Sequence, residues 1–315
     1  MSEPAAIRAV CLMGPTAAGK TEHAIELTKR YPFDLISVDS AQVYREMNIG
    51  TAKPAPAVLA AYPHRLIDIR DPWESYSAGE FCRDAVAAMQ EITAAGRTPL
   101  LVGGTMLYFQ ALQRGIAPMP AADPELRAHL DERAAAEGWP ALHAELRALD
   151  PATAERLQPT DAQRIQRALE VCLLAGEPMS ELHNLTRPPV QADYLNIGLL
   201  PSDRQRLHRH IAARFKQMLA AGLLAEVQAL SELPGMSAEV PAMRSVGYRQ
   251  LWSHIKGTTN RDEATEQAVV ATRRLAKRQL TWLRSWPELQ VLDSFADDVG
   301  TQMDEIVYSW FSSDA

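Results

Sequence analysis

Gly14, Gly19, Lys20 and Thr21 fall at the spacing G-x-x-x-x-G-K-[ST], and residues of these types suit one task, the holding of a di- or triphosphate. Glycines let successive backbone N–H groups converge on phosphate oxygens, and a helix N-terminus adds positive potential. Lys20 contributes a full charge, and the Thr21 hydroxyl can ligate Mg²⁺. The elements that must position these groups lie on either side. The apolar run Ala9–Met13 reads as a strand, and Glu22-His23-Ala24-Ile25-Glu26-Leu27 reads as the start of a helix. A strand entering a helix through a glycine turn is the context this motif requires.

Two further strand ends carry chemistry. Leu35-Ile36-Ser37-Val38 delivers Asp39 at its carboxyl end, where doubly wound sheets place their ligands. An acid there can ligate Mg²⁺, act as a general base, or simply cap a turn. Leu100-Leu101-Val102 ends in Gly103-Gly104-Thr105, so backbone and a hydroxyl can approach a ligand closely, or Thr105 can cap a helix. No acid ends this second strand, which makes Asp39 the better candidate for a catalytic carboxylate.

The 315 residues suggest two domains or one large one, and 47% hydrophobic with 23% charged residues is the balance of a soluble globular chain. No apolar stretch approaches a membrane span, and the first residues lack a secretory signal, so a cytoplasmic protein with no membrane partner is expected, acting as a monomer. Cys11, Cys82 and Cys172 are scattered and odd in number, and read as buried thiols. Strand-like runs at Ala9–Met13, Leu35–Val38, Arg65–Ile69 and Thr98–Val102 alternate with helices at Thr21–Arg30 and Ala78–Ala95, the pattern of a parallel α/β sheet. The character changes at Ala117-Pro118-Met119-Pro120. Helical segments follow near Pro124–Glu137, Ala141–Leu149, Asp161–Ala175 and Met179–Leu185, before strands return at Tyr194–Leu200 and Leu289–Leu292. The fold class is therefore α/β, a P-loop-type parallel sheet core (1–119 and 193–315) with a helical insertion (120–192) and a helix-rich C-terminal part.

Net charge is −7, but it is not evenly spread. Between Pro201 and Trp286 fourteen basic residues face seven acidic ones, +7 locally, which points to a polyanionic partner on one face. On a helix from Asp262 to about Trp286, Arg273, Lys277 and Arg284 fall within about 40° of each other, with Arg274 and Arg278 on the adjoining arc. Ala268, Ala271, Leu275, Gln279 and Trp282 lie opposite and read as the packed side. His208 and His210 lack ligand-like spacing and read as solvated, and Trp73, Trp139, Trp252 and Trp310 read as core or interface.

Six blocks occur in one order: GPTAAGKT, SVDSAQVY, Asn48-Ile49-Gly50-Thr51-Ala52-Lys53-Pro54, VGGTMLY, Arg244-Ser245-Val246-Gly247-Tyr248-Arg249, and Ala276 to Arg284. Together they resemble the bacterial tRNA dimethylallyltransferases, the tRNA isopentenyltransferase family, over nearly the whole chain. The resemblance implies transfer of a dimethylallyl group from dimethylallyl diphosphate to N6 of the adenosine just 3′ of the anticodon in tRNA, with Mg²⁺ as cofactor. It makes Asp39 the base on N6, with Thr105 beside the reacting centre. It gives Gly14, Thr16, Ala17, Ala18, Gly19, Lys20, Thr21 and Arg214 to the diphosphate, although Arg204, Arg206 and Arg209 compete with Arg214 for that role. The tRNA contacts it implies are Asp39, Ser40, Ala41 and Gln42; Arg127; Gln163, Arg164, Ile165, Gln166 and Arg167; Arg244, Ser245, Val246, Gly247, Tyr248 and Arg249; and Lys277, Arg278, Gln279, Leu280, Thr281, Trp282, Leu283 and Arg284. Ala18 stands where many members carry Ser.

Three other readings use the same loop. A nucleotide kinase has no need of the basic C-terminal region. An isopentenyltransferase of free adenine nucleotides has no need of the insertion or the basic helix. A non-catalytic RNA-binding P-loop protein leaves adenosine unmodified.

Overall fold

The computed structural model describes residues 7–313. Six strands, β1 (Ile7–Met13), β2 (Phe33–Val38), β3 (His64–Arg65), β4 (Thr98–Gly103), β5 (Ala192–Leu200) and β6 (Leu289–Asp293), form one parallel sheet in the order β3-β2-β4-β1-β5-β6. The central strands are apolar on both sides because helices cover both faces. Along β1, Ala9, Cys11 and Met13 enter the larger core and the alternate residues Val10 and Leu12 enter the smaller one. Helices α1 (Lys20–Arg30) and α14 (Val299–Ser312) supply Ala24, Leu27, Met303 and Val307 to the smaller core. The short α2 (Pro56–Ala61) contributes no buried residue. The larger core takes Phe81 and Met89 from α3 (Ala78–Ala94) and Phe109 from α4 (Met106–Arg114).

Residues Gln113–Pro189 form a separate compact unit. Five helices build it: α5 (Pro124–Glu137), α6 (Trp139–Leu149), α7 (Pro151–Arg156), α8 (Ala162–Ala175) and α9 (Met179–His183). They surround Leu130, Leu142, Leu146, Ile165 and Leu169. Ala192, which sequence pattern places in the insertion, pairs with Ile7 in the sheet. Within this unit the Glu170 carboxylate is fully buried and accepts two hydrogen bonds from Arg127 (2.8 and 2.9 Å), one from Arg167 (2.7 Å) and one from the Asp123 N–H (2.8 Å). Burial pushes its carboxyl up, but these donors outweigh burial and hold it below the ordinary value.

The C-terminal part of the sheet-containing unit adds α10 (Arg204–Ala220), α11 (Leu223–Glu232), the short 3₁₀ turn Pro241–Arg244, α12 (Tyr248–Ile255) and α13 (Arg261–Arg284). The expected strand Arg65–Ile69 stops after Arg65. Leu66 and Asp68 adopt left-handed backbone (φ 65° and 56°), and Asp68 is drawn into an ion pair with Lys53, so the chain cannot stay extended. Trp73, expected in a core or interface, is 47% exposed. The three cysteines are buried, and no helix among the described residues is long and apolar enough to cross a membrane.

Glu170→Ala leaves two guanidiniums and an N–H without their acceptor. The expected loss of stability is at the lower end of about 3–5 kcal/mol, since both arginines are partly exposed. The stabilisation is present above the carboxyl's ordinary value of 4.5 and fades as pH falls towards its lowered one. Denaturant midpoints of parent and variant, at neutral pH and at low pH, check both statements.

Candidate active site

The register of the sheet sets the site. Met13 and Val38 both pair with Gly103, so the carboxyl ends of β1, β4 and β2 lie side by side. From β1 the chain turns through the glycine loop, with Ala17 (φ 65°) and Gly19 (φ 78°) both left-handed, and enters α1 at Lys20. Gly19 adopts that conformation freely, whereas Ala17 does so against its Cβ. Lys20 Nζ donates to the Pro15 carbonyl at 2.7 Å. Burial pushes the Lys20 ammonium down to about 8, opposed by the nearby Asp39 carboxylate and reinforced by the Arg214 guanidinium. Arg214, on α10, is itself pushed down by burial against the pull of Asp39, and it has no hydrogen-bond or ion-pair partner among the described residues. Two partly desolvated cations and one carboxylate therefore meet at one place.

Asp39 follows β2 directly. Its Oδ1 accepts from the Ala41 N–H (2.8 Å) and more distantly from the Gln42 N–H (3.3 Å), the turn cap that the sequence allowed. Oδ2 has no partner among the described residues. The cap and a reactive role are therefore compatible, one oxygen fixing the carboxylate and the other remaining available. Thr105 Oγ1 accepts from the Ser40 N–H at 3.1 Å, and the Thr105 N–H donates to the Val38 carbonyl at 3.2 Å. These bonds hold the Thr105 hydroxyl beside the Asp39 turn. The Thr21 hydroxyl is unpartnered among the described residues, and no three His, Cys, Asp or Glu side chains there form a metal cluster. That donor set suits a Mg²⁺ held mainly by phosphate oxygens and water.

These groups line a cleft of about 1080 Å³. Small-ligand pockets are about 300–1,000 Å³, so the cleft has room for more than one small group. Its loop wall, Gly50 to Ala52, is held from behind. The Glu226 carboxylate accepts from the Asn48, Ile49 and Gly50 N–H groups and from the Tyr248 hydroxyl, and Lys53 binds the Tyr44 carbonyl, Asn48 Oδ1 and Asp68. Of the four candidate arginines, Arg206 and Arg214 line the cleft. Arg206 is occupied by the Phe295 carbonyl and ring, which leaves Arg214 as the uncommitted cation.

The other expected contacts divide. Ser40, Ala41, Gln42, Arg244, Ser245, Val246, Tyr248, Arg278, Gln279 and Trp282 line the cleft. Arg249, Lys277, Thr281 and Arg284 are exposed outside its lining, and Gly247 is buried outside it. Leu280 and Leu283 are corrected to core residues, 9% and 1% exposed, because Leu280 packs with Leu207, Ile211 and Ala276 and Leu283 joins the larger core. Gln279 is likewise buried and bonded to protein. In the helical unit Ile165 is fully buried, and Arg127 and Arg167 turn to Glu170. Arg164 pairs with Asp161 and Gln166 with Asp131, while Gln163 lines a smaller cavity of that unit.

The arc of α13 read as packed is partly cleft wall. Leu275 and Trp282 line the cavity, Trp282 with 38% exposure, since an apolar helix stripe can cover a core or face a ligand. His210 is also cleft wall and packs edge-on against Phe295 at 5.1 Å. Phe295 lies just beyond the carboxyl end of β6, so the strand-end rule that found Asp39 could have flagged it. Nothing in the sequence pattern signals Glu226, whose backbone N–H partners lie 176–178 residues away.

A parallel sheet with a glycine loop at its carboxyl edge, opening into a helix N-terminus, defines a phosphate-binding α/β protein of the P-loop class. Residues 42–286 match the IPP transferase family, and residues 7–72 match the family described as isopentenyl transferase. The chain belongs to the IPP transferase family. It is 56% identical over 299 residues to the tRNA dimethylallyltransferase of Thiobacillus denitrificans, covering 95% of this chain and 96% of the relative. Over 292 residues it is 56% identical to that of Bordetella pertussis, 92% and 93% of the two chains. The tRNA isopentenylpyrophosphate transferase of Bacillus halodurans matches at TM-score 0.70 with 34% identity, covering 96% of this chain and 95% of that one. A eukaryotic dimethylallyltransferase acting on tRNA matches in fold at TM-score 0.81 with 24% identity, over 98% of this chain and 80% of that one.

An anion at the loop needs the charged form of Lys20. Affinity for inorganic diphosphate is expected to weaken as pH rises through about 8, where the free protein loses that charge. Lys20→Met should cost about 1.5–3 kcal/mol of binding, on the order of tenfold to hundredfold in Kd. It should also remove the lysine's share of the pH dependence, leaving only diphosphate's own titration. Calorimetric titrations from pH 6.5 to 9.5 on both proteins test this.

Proposed function

We propose that this chain transfers a dimethylallyl group from dimethylallyl diphosphate to N6 of the adenosine just 3′ of the anticodon in tRNA, releasing diphosphate. The observation that carries the reading is the meeting, in one roomy cleft, of a phosphate loop, an uncommitted arginine and a carboxylate with one free oxygen. The cleft wall adds Arg278 and the exposed Trp282, a cation and a ring suited to phosphate and base of a single-stranded loop. The names of the relatives support the same reading.

In this mechanism the backbone N–H groups from Ala17 to Thr21, with Lys20 and Arg214, hold the diphosphate. As the allylic C–O bond lengthens, negative charge grows on the leaving oxygen, and these fixed donors stabilise it without reorganising. Thr21 is the residue that would hold Mg²⁺ with the diphosphate oxygens, and the ion would add neutralising charge there. The N6 lone pair forms the new C–N bond, and Asp39 Oδ2 accepts the proton that N6 loses. Thr105, fixed by Ser40, stands beside that proton transfer.

Incubation with unmodified tRNA and dimethylallyl diphosphate, followed by nucleoside mass analysis, should yield a prenylated adenosine without ATP. ATP hydrolysis with no modified nucleoside would point to a kinase instead. Asp39→Asn should lower the single-turnover rate at saturating substrates about 10²–10⁴-fold while tRNA affinity changes little. A near-parent rate would reduce Asp39 to its turn-capping role. Arg278→Ala should reduce the slope of log affinity against log salt by about 0.7–0.9, one phosphate contact, and an unchanged slope would remove Arg278 from the RNA interface.

A further inference from the structure

Helix α13 is hydrogen-bonded to the phosphate loop through one side chain. Gln279, only 9% exposed, uses both ends of its amide: Oε1 accepts from the Thr16 N–H at 3.0 Å, and Nε2 donates to the Gly104 carbonyl at 2.9 Å. Reversing the amide would set donor against donor and acceptor against acceptor, so its partners fix the orientation. The fit is close. A Cβ on Gly104 would lie 2.4 Å from Gln279 Nε2 and 3.0 Å from the Gly14 carbonyl.

The loop needs such a hold. Thr16 directly precedes Ala17, whose left-handed backbone costs about 1–3 kcal/mol and persists only where the surroundings over-determine it. Two restraints come from α13. Gln279 binds the Thr16 N–H, and Ala276 and Leu280 belong, with Leu207 and Ile211 of α10, to the cluster against which Ala17 packs. The same stretch of helix turns Arg278 and Trp282 into the cleft. At its other end the glutamine holds the carbonyl next to Thr105.

We infer that Gln279 is a positioning residue that makes the two substrates bind cooperatively. RNA seated against Arg278 and Trp282 fixes α13. Through Gln279 and the cluster that holds Ala276 and Leu280, α13 then fixes the strained turn at Thr16-Ala17 and the Gly104 carbonyl. A loop already held binds diphosphate more tightly, and by linkage bound diphosphate tightens RNA by the same factor. This inference rests on the tRNA-prenylating function proposed above.

The test is the ratio of tRNA dissociation constants without and with saturating inorganic diphosphate and Mg²⁺, measured by filter binding at fixed salt. The parent ratio should be on the order of 5–150. Gln279→Met, similar in size but without either hydrogen bond, should bring it near one. Gly104→Ala, which displaces the glutamine without replacing it, should do the same. Each ratio compares one preparation with itself, so a damaged fraction cancels, and a merely structural glutamine would lower both affinities while keeping the ratio. A parent-like ratio in either variant overturns the inference, as does a parent ratio of one. A parent that binds neither probe overturns the proposed function, and the inference with it.

Discussion

A backbone that must curl left-handed at both Ala17 and Gly19 makes unusual demands on its neighbours. Its N–H groups are to converge on an anion, and an alanine in this conformation reverts unless it is held. The sheet holds one side of the loop, with β1 between β4 and β5, and a Cβ on Gly14 would lie 3.1 Å from the Leu199 carbonyl. The other side is closed by α10 and α13, formed by residues some two hundred positions later, through the cluster of Leu207, Ile211, Ala276 and Leu280. The phosphate loop is local in sequence, but its stability is not.

Charge in the cleft follows from the same packing. Lys20 and Arg214 are brought together in partial burial with one carboxylate near both, an arrangement disfavoured until a multivalent anion arrives. The Asp39 turn uses one oxygen for two N–H groups, so the carboxylate is aimed without being consumed. The helical unit treats charge in the opposite way. Its buried Glu170 collects Arg127, Arg167 and a backbone N–H, and two of its arginines thereby become structural. Arg214 in the cleft has no ion-pair partner among the described residues, whereas the arginines around Glu170 already have one.

The charge balance of the chain makes sense in this light. A protein of net charge −7 has little general attraction for a polyanion, so attraction has to be local, and Arg244 and Arg278 place two cations in the lining of the cleft. Trp282, Leu275 and Phe295 add aromatic and apolar surface to the same cleft.

Sequence by itself determined what depends on neighbours along the chain. The strand–glycine–helix unit, Asp39 and Thr105 at strand ends, the parallel α/β alternation and the helical run from Pro124 are all written in local periodicity and turn chemistry. The truncation of the third strand was not legible, because the ion pair of Lys53 with Asp68 spans fifteen residues. Helical period found the apolar arc of α13 but could not say whether it met a core or a cleft. Leu280 and Leu283 went to one and Leu275 and Trp282 to the other. Tertiary structure alone decided which arginine is uncommitted, that Glu226 anchors the Asn48–Gly50 turn, and that Gln279 spans two turns 263 and 175 residues away. The physical reason is common to all three. A hydrogen-bond partner is fixed by direction and distance in space, and sequence carries only the residue types that could supply one.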